Sequence, residues 1–273
     1  MKVISAHKIR DTVARLCIEA NLVLRKDVLR QLKSAYVKEK NKREKNILDA
    51  IIRNASIAKK DRLAICQDTG IPVVFLEVGQ NVKINGDLKK VVNKGVYLGY
   101  KKGYFSRSIV KDPLLRGGRG YSPAVIHADI MPGNKLKITV LAKGFCCENK
   151  SRLKMFNPTV KIDEIKRFIV EAVEFAGPDA CPPYVVGVGI GGTADYANLL
   201  AKKALLKDIT HSASRLESDL LNEINRLNIG PMGLGGKATA LAVKIETHPM
   251  HITGLPVAVN ISCHALRSSS AIL

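Results

Sequence analysis

With 273 residues, 46% of them hydrophobic, the chain is long enough to bury the core of one large domain or two small ones, and it has no run of eighteen apolar residues to cross a membrane. Its formal charge of +20, from 44 basic and 24 acidic residues, suits an anionic counterpart such as nucleic acid, an anionic surface, an acidic metabolite or an acidic subunit. Aromatic residues are only 5% and Trp is absent, so base stacking has little material and composition disfavours nucleic acid as the counterpart, despite the RGGRGY run at 116–121.

The N-terminal stretch MKVISAHKIRDTVARLC lacks the unbroken apolar segment of an export signal, which makes the cytoplasm the expected compartment. Val13, Leu16, Cys17 and Ala20 then recur at helical spacing, as do Val28, Leu29, Leu32 and Ala35, and again Leu48, Ile51, Ile52 and Ala55, predicting three helices within 8–58. ICQDTGIPVVFLEVG (65–79) reads as a turn leading into a β-rich run, and 87–103 as a further helix. Residues 124–130 and 136–141 read as strands, and the MPGN turn between them predicts an antiparallel hairpin. An amphipathic helix over 160–176 stops at Gly177-Pro178. A buried strand at 184–190 leads through glycines to a helix over 194–206, and another helix follows at 214–226. Residues 238–263 read as two strands joined by a His-containing turn. No repeat, disordered linker or domain boundary stands out. The expected class is α+β, with N-terminal helices followed by mixed β-sheets flanked by helices, in one compact domain over 1–273.

Six cysteines in a reducing compartment are expected to be thiols or metal ligands, and none forms the CxxC pair of a zinc ribbon. Cys66 stands before the polar turn Gln67-Asp68-Thr69-Gly70, Cys181 before Pro182-Pro183 and a buried strand, and Cys263 at the end of LPVAVNIS. Soft thiolates at such irregular junctions suit an iron–sulfur cluster, although buried thiols are also common in cores and spacing alone does not separate the two. Cys17 lies on an apolar helix face and fits core packing, while Cys146 and Cys147 are adjacent, which strains joint ligation of one ion. Gly187 to Gly192 matches GxGxxG, but no second strand ending in an acidic residue follows at the right distance, so close packing is the better reading than a dinucleotide site. LGGKAT (234–239) has Pro231 and Ala238 where a phosphate loop needs Gly and Ser or Thr. His248 and His251 have HxxH spacing without the accompanying ligands of a zinc site.

Several long motifs carry a family likeness. AICQDTGIPVVFLEVGQ (64–80), PAVIHADIMPGNKLKITVLAKG (123–144), SRLKMFNP (151–158), ACPPYVVGVGIGGTADYANLLAKKALL (180–206), NIGPMGLGGKATALAV (228–243) and HITGLPVAVNISCH (251–264) resemble, in order, segments of the class I fumarases and L(+)-tartrate dehydratases. The likeness covers nearly the whole chain and stops where larger single-chain members continue into a second domain, so the chain resembles the α subunit of the split form. That resemblance implies a [4Fe-4S] cluster on Cys66, Cys181 and Cys263, with one iron lacking a protein ligand and acting as a Lewis acid. It implies reversible addition or elimination of water on a four-carbon dicarboxylate, with fumarate/(S)-malate hydration first and L(+)-tartrate dehydration as the alternative. A separate β subunit, in an α2β2 heterotetramer, would complete the site. Gln67 would bind a substrate carboxylate, and Asp68 would position a hydroxyl or relay a proton; the competing reading of Asp68 is an Asx-turn closing on Gly70. His251 matches a histidine that reaches a carboxylate across a dimer interface; the competing reading is a turn histidine bonded locally.

The substrate side departs from the family pattern. Gly144-Phe145-Cys146-Cys147-Glu148-Asn149 replaces Gly-Gly-Gly-Ser-Glu-Asn, Ala238-Thr239 replaces Thr-Thr, and Ser106 stands where the family places an Arg. Arg107, next door, is the candidate replacement for that carboxylate-binding guanidinium. These departures also admit a non-catalytic paralogue that keeps the fold and the cluster.

Overall fold

The structure is a computed structural model describing all residues, 1–273. In chain order it contains β1 (Lys2–Ser5), α1 (Ala6–Leu22), α2 (Lys26–Lys38), α3 (Lys42–Asp61), β2 (Ile71–Gly79), β3 (Val82–Asn85) and α4 (Leu88–Lys102). There follow β4 (Ile109–Val110), β5 (Arg119–Gly120), β6 (Val125–Met131), β7 (Leu136–Lys143), the short α5 (Phe145–Glu148), β8 (Arg152–Phe156) and α6 (Ile162–Ala176). The remainder is β9 (Tyr184–Gly192), α7 (Ala194–Ala204), α8 (Arg215–Arg226), β10 (Ala240–Met250), β11 (Leu255–Ser262) and β12 (Ser268–Ile272). The α+β class is as the hydrophobic periods predict. No helix is long and apolar enough to cross a membrane.

Contacts group the chain into two units, each drawn from separated segments. The first comprises Met1–Arg25, Ala55–Phe145 and Arg267–Leu273; the second comprises Lys26–Asn54 and Cys146–Leu266.

In the first unit a four-stranded sheet runs in the order β12-β7-β2-β6. The predicted hairpin between the 124–130 and 136–141 strands does not form. Both strands exist, but β2 lies between them, parallel to β6 and antiparallel to β7. The reason is burial. Pro72 to Leu76 of β2 are all buried, whereas β6 is half or fully exposed throughout, so β2 takes the interior position and β6 the edge. The MPGN turn therefore passes over the end of β2. Gln80 N–H donates to Met131 O at 2.8 Å and Asn81 N–H to Gly133 O at 2.9 Å, which fixes that crossing. Helices α1 and α4 pack against each other at close range: a Cβ on Gly95 or Gly99 would lie 2.6 Å from a carbonyl of α1. Ile9, Val13, Leu16 and Cys17 of α1 join Val92, Val96, Val74, Leu76, Ile138 and Val140 in one core. Cys17 is thus a packing residue, and burial pushes its thiol pKa up.

The second unit repeats the arrangement. Its sheet runs β10-β9-β11-β8, with β9 parallel to β10 and antiparallel to β11. Once more the connected pair, β10 and β11, straddles a buried strand. Helix α7 lies on this sheet, with Ala197 and Ala201 packed on Ala258. Gly187 and Gly189 permit that approach, since a Cβ there would fall 2.2 Å from Ala201 O and 2.1 Å from Ala197 O. Helix α8 starts with a full capping box between Ser214 and Glu217, whose second carboxylate oxygen accepts the Ile245 N–H of β10 at 2.8 Å.

Candidate functional site

One interior strand of each sheet is preceded by a cysteine: Cys66 leads into β2, and Cys181 into β9. Strand β11 runs antiparallel to β9, so its C-terminal end, where Cys263 sits, returns to the start of β9 through the Ser262–Val185 pair.

In the first unit the Cys66–Gly70 loop is held by four surrounding groups. Asp68 Oδ1 accepts the Gly70 N–H at 2.9 Å, which is the Asx-turn, while Oδ2 accepts the Phe145 N–H at 2.8 Å. Thr69 Oγ1 accepts the Ser106 N–H at 3.1 Å, and the Ser106 hydroxyl donates to the Gln67 carbonyl at 3.2 Å. The Tyr100 hydroxyl donates to Thr69 O at 2.9 Å; burial, above all, raises its pKa. Gly70 has φ of +70°, and a Cβ there would lie 2.6 Å from Lys143 O, so no other residue fits this corner. Ser106 faces the loop. Arg107 instead lies over the Tyr121 ring, 5.6 Å from its centroid, and its Nε donates to the Tyr121 hydroxyl at 3.4 Å.

In the second unit Cys181 has φ of +56°, and its carbonyl accepts twice from His264: the N–H at 3.4 Å and the ring Nδ1–H at 3.0 Å. His264 follows Cys263, so this clamp draws the two cysteine-bearing backbones together. Tyr184 donates its hydroxyl to Gly177 O. Burial, above all, raises its pKa, and the sulfurs of Cys147, Cys181 and Cys263 act in the same direction. Cys147 Sγ donates to Ala180 O at 3.4 Å. Glu148 pairs with Lys202 and accepts from Asn260 Nδ2 at 3.0 Å, and the same nitrogen donates to Ser151 Oγ at 2.8 Å, anchoring the loop after β7.

His251 lies in the exposed turn between β10 and β11. Its Nδ1 accepts the Thr253 N–H at 3.3 Å and the Thr253 hydroxyl at 2.8 Å, so the neutral ring carries its proton on Nε2. His248 uses its Nδ1 on Pro249 O at 2.8 Å and packs its ring on Tyr196. No three His, Cys, Asp or Glu side chains converge tightly enough to hold a single metal ion. The 234–239 glycine loop gives two of its amides to side chains outside it, where a phosphate cradle would keep them for an anion: Gly236 N–H donates to Asn228 Oδ1 at 3.1 Å and Lys237 N–H to Glu44 Oε2 at 3.2 Å. A surface groove of about 390 Å³ on the outer side of α1, lined by Asp11, Arg15, Glu19 and Lys102, holds none of these residues.

Sequence motifs located the cysteines, Gln67, Asp68 and His251. They did not point to Tyr184, Thr69 or His264, although each stands within or beside a quoted motif; their roles depend on contacts to residues distant in sequence.

Residues 10–272 match the profile of the fumarate hydratase (Fumerase) family. A protein of Methanocaldococcus jannaschii, provisionally named L(+)-tartrate dehydratase subunit alpha, is 42% identical over 274 residues, 95% of each chain. The L(+)-tartrate dehydratase subunit alpha of Escherichia coli is 29% identical over 272 residues, covering 96% of this chain and 90% of that protein. Its Shigella sonnei counterpart is 28% identical over 278 residues, 98% and 92% of the respective chains.

Proposed function

Because the chain belongs to the fumarate hydratase family of hydro-lyases, matching its profile from residue 10 to 272, we propose that it is the α subunit of an iron–sulfur hydro-lyase acting on a four-carbon dicarboxylate. The names of its relatives favour L(+)-tartrate as the first substrate to test, with fumarate/(S)-malate beside it. A separate β subunit would complete the enzyme.

The donor chemistry fits a [4Fe-4S] cluster better than a lone ion. A cube distributes its ligands over separate corners, so its thiols need not converge as a single ion's ligands do. Cys66, Cys181 and Cys263 are the thiols we assign to it on the family match, and the His264 bonds to Cys181 O, which tie the backbone beside Cys263 to that of Cys181, support the last two. Bound there, a cluster with an iron not taken by protein would supply a Lewis acid for the substrate hydroxyl and carboxylate.

The chain's own residues would then do the following. Gln67, its carbonyl fixed by Ser106, offers its side-chain amide to a substrate carboxylate. Asp68, oriented by Gly70 and Phe145, positions the hydroxyl that leaves or relays its proton. His251, with Nδ1 committed to Thr253, presents Nε2–H as a donor to a carboxylate. The β subunit supplies the remaining carboxylate-binding groups and the proton acceptor at carbon.

The test is anaerobic co-expression with the β chain, iron and sulfide analysis, and a substrate panel of L(+)-tartrate, fumarate and (S)-malate. Cys66→Ser, Cys181→Ser and Cys263→Ser should each abolish the brown chromophore. Absence of iron in the anaerobic complex would overturn the cluster assignment, and full turnover by this chain alone would overturn the split-subunit reading.

A second reading, a non-catalytic paralogue, is favoured by Ser106 in the family's Arg position, with Arg107 directed onto Tyr121. It predicts a complex that binds cluster but lacks turnover until Ser106→Arg and the Gly-Gly-Gly-Ser loop are restored.

A further inference from the structure

Cys146 and Cys147 take no part in the scheme above, yet their sulfurs lie 3.7 Å apart in α5. Cys146 is half-buried, while Cys147 is 2% exposed and directs its thiol to Ala180 O. Cys146 is therefore the more accessible of the two to a small oxidant, and the shielded Cys147 sulfur lies within reach of it.

We propose that Cys146 and Cys147 form a reversible two-electron oxidation site, closing to a vicinal disulfide in response to hydrogen peroxide. The Cys146 sulfur attacks one peroxide oxygen and the O–O bond breaks, giving a sulfenic acid on Cys146 and one water. The Cys147 sulfur then attacks the Cys146 sulfur and the S–O bond breaks. The departing hydroxide leaves as a second water with the Cys147 proton. In sum, two thiols lose two hydrogens and two electrons, and one peroxide becomes two waters.

Reversibility follows from adjacency. Consecutive α-carbons are held about 3.8 Å apart, below the ~4.4–6.8 Å that relaxed disulfides span, so the bridge is strained and readily reduced. Strained bridges have the higher potentials found in labile, regulatory disulfides. Closing the ring removes the Cys147 thiol from Ala180 O, next to Cys181, and disturbs the short helix that begins at Phe145, whose N–H binds Asp68. Oxidation would thus be felt at the backbone beside two residues of the proposed site. The chemistry itself requires no cluster, so its outcome is separable from the hydro-lyase reading.

The sequence supplies a convenient readout, because Lys143 and Lys150 bracket a tryptic peptide, Gly144 to Lys150, that holds these two cysteines and no other. The full chain, purified without oxygen, is treated with hydrogen peroxide, alkylated with iodoacetamide, digested and weighed. The peptide should be unalkylated and two hydrogens lighter than its dithiol form, and prior dithiothreitol should return it to the doubly alkylated form. Cys147→Ser should leave a Cys146 sulfenic acid that dimedone traps, and Cys146→Ser should leave Cys147 reduced. The proposal is overturned by a doubly alkylated peptide under peroxide that oxidises added glutathione, by irreversible sulfinic acid on Cys146, or by a Cys147 crosslink to the Cys181 peptide.

Discussion

Asp68 serves two neighbours with one carboxylate, and that double duty distinguishes its charge from its shape. An amide at this position could still accept the Gly70 N–H, but its second arm would turn a donor toward the Phe145 N–H. Asp68→Asn should therefore lower kcat of the complete enzyme by about 10²-fold or more, the usual range for a lost acid–base group, and lower the chain's stability by about 1–3 kcal/mol. Initial rates and urea denaturation measure the two effects; unchanged kcat would remove Asp68 from the chemistry. Gly189 makes a purely structural counterpart. Its missing side chain admits the Ala197 carbonyl, so Gly189→Ala should cost about 1–3 kcal/mol or more in urea denaturation. At this scale the motif residues were legible, but their directions were not. GxGxxG matched a phosphate-binding pattern by letters and a helix seat by geometry. Likewise, nothing in the order Ser106-Arg107 tells that the serine faces the 66–70 loop and the arginine turns to Tyr121.

Helices were easy to read because their signal lies within about two turns of sequence, and the predicted and observed spans agree closely. Strand existence was also visible; strand order was not. β6 and β7 are joined by a turn suited to a hairpin, but β2, more apolar than β6, takes the place between them, and that competition involves residues far apart in sequence. The short β1 and β3 escaped notice because each has only four residues. A pair of carboxylates joins other elements. Glu44, in the first turn of α3, is buried beneath Gly236 and Lys237; burial raises its pKa, reinforced by its hydrogen bond to Glu39 and that residue's charge. For Glu39 burial acts in the same direction but is outweighed by the Asn41 amide, the Glu44 hydrogen bond and the Lys40 amide, so its pKa falls. With Glu44 raised, the folded chain holds that proton to higher pH than the unfolded chain does. Its contribution to stability therefore declines as pH rises through the ordinary glutamate range to the raised value. Glu39 has the opposite sign, its contribution being lost as pH falls through its lowered value. Glu44→Gln should flatten the decline on the high side, seen as a urea midpoint less sensitive to pH above the ordinary glutamate range. An unchanged slope would show that the pair does not share a proton.

Taken whole, the molecule is a basic body whose relatives are named as subunits. If the excess of +20 is met by an acidic β chain, association should weaken with ionic strength, as screened contacts do, and titration by light scattering or calorimetry at low and high salt would show it. Salt-independent affinity would point to an apolar interface instead. Composition revealed this charge at once, but not the repetition of one sheet arrangement in two units, since the repeat lies in strand order and leaves no matching letters. The return of β12 has a consequence of its own. It pairs with β7, and Leu273 exchanges both backbone hydrogen bonds with Leu136, although everything from Cys146 to Leu266 is translated in between. A nascent chain emerging from the ribosome thus carries an early sheet with an open flank until the last strand arrives, which makes that interval the moment when a chaperone would matter most.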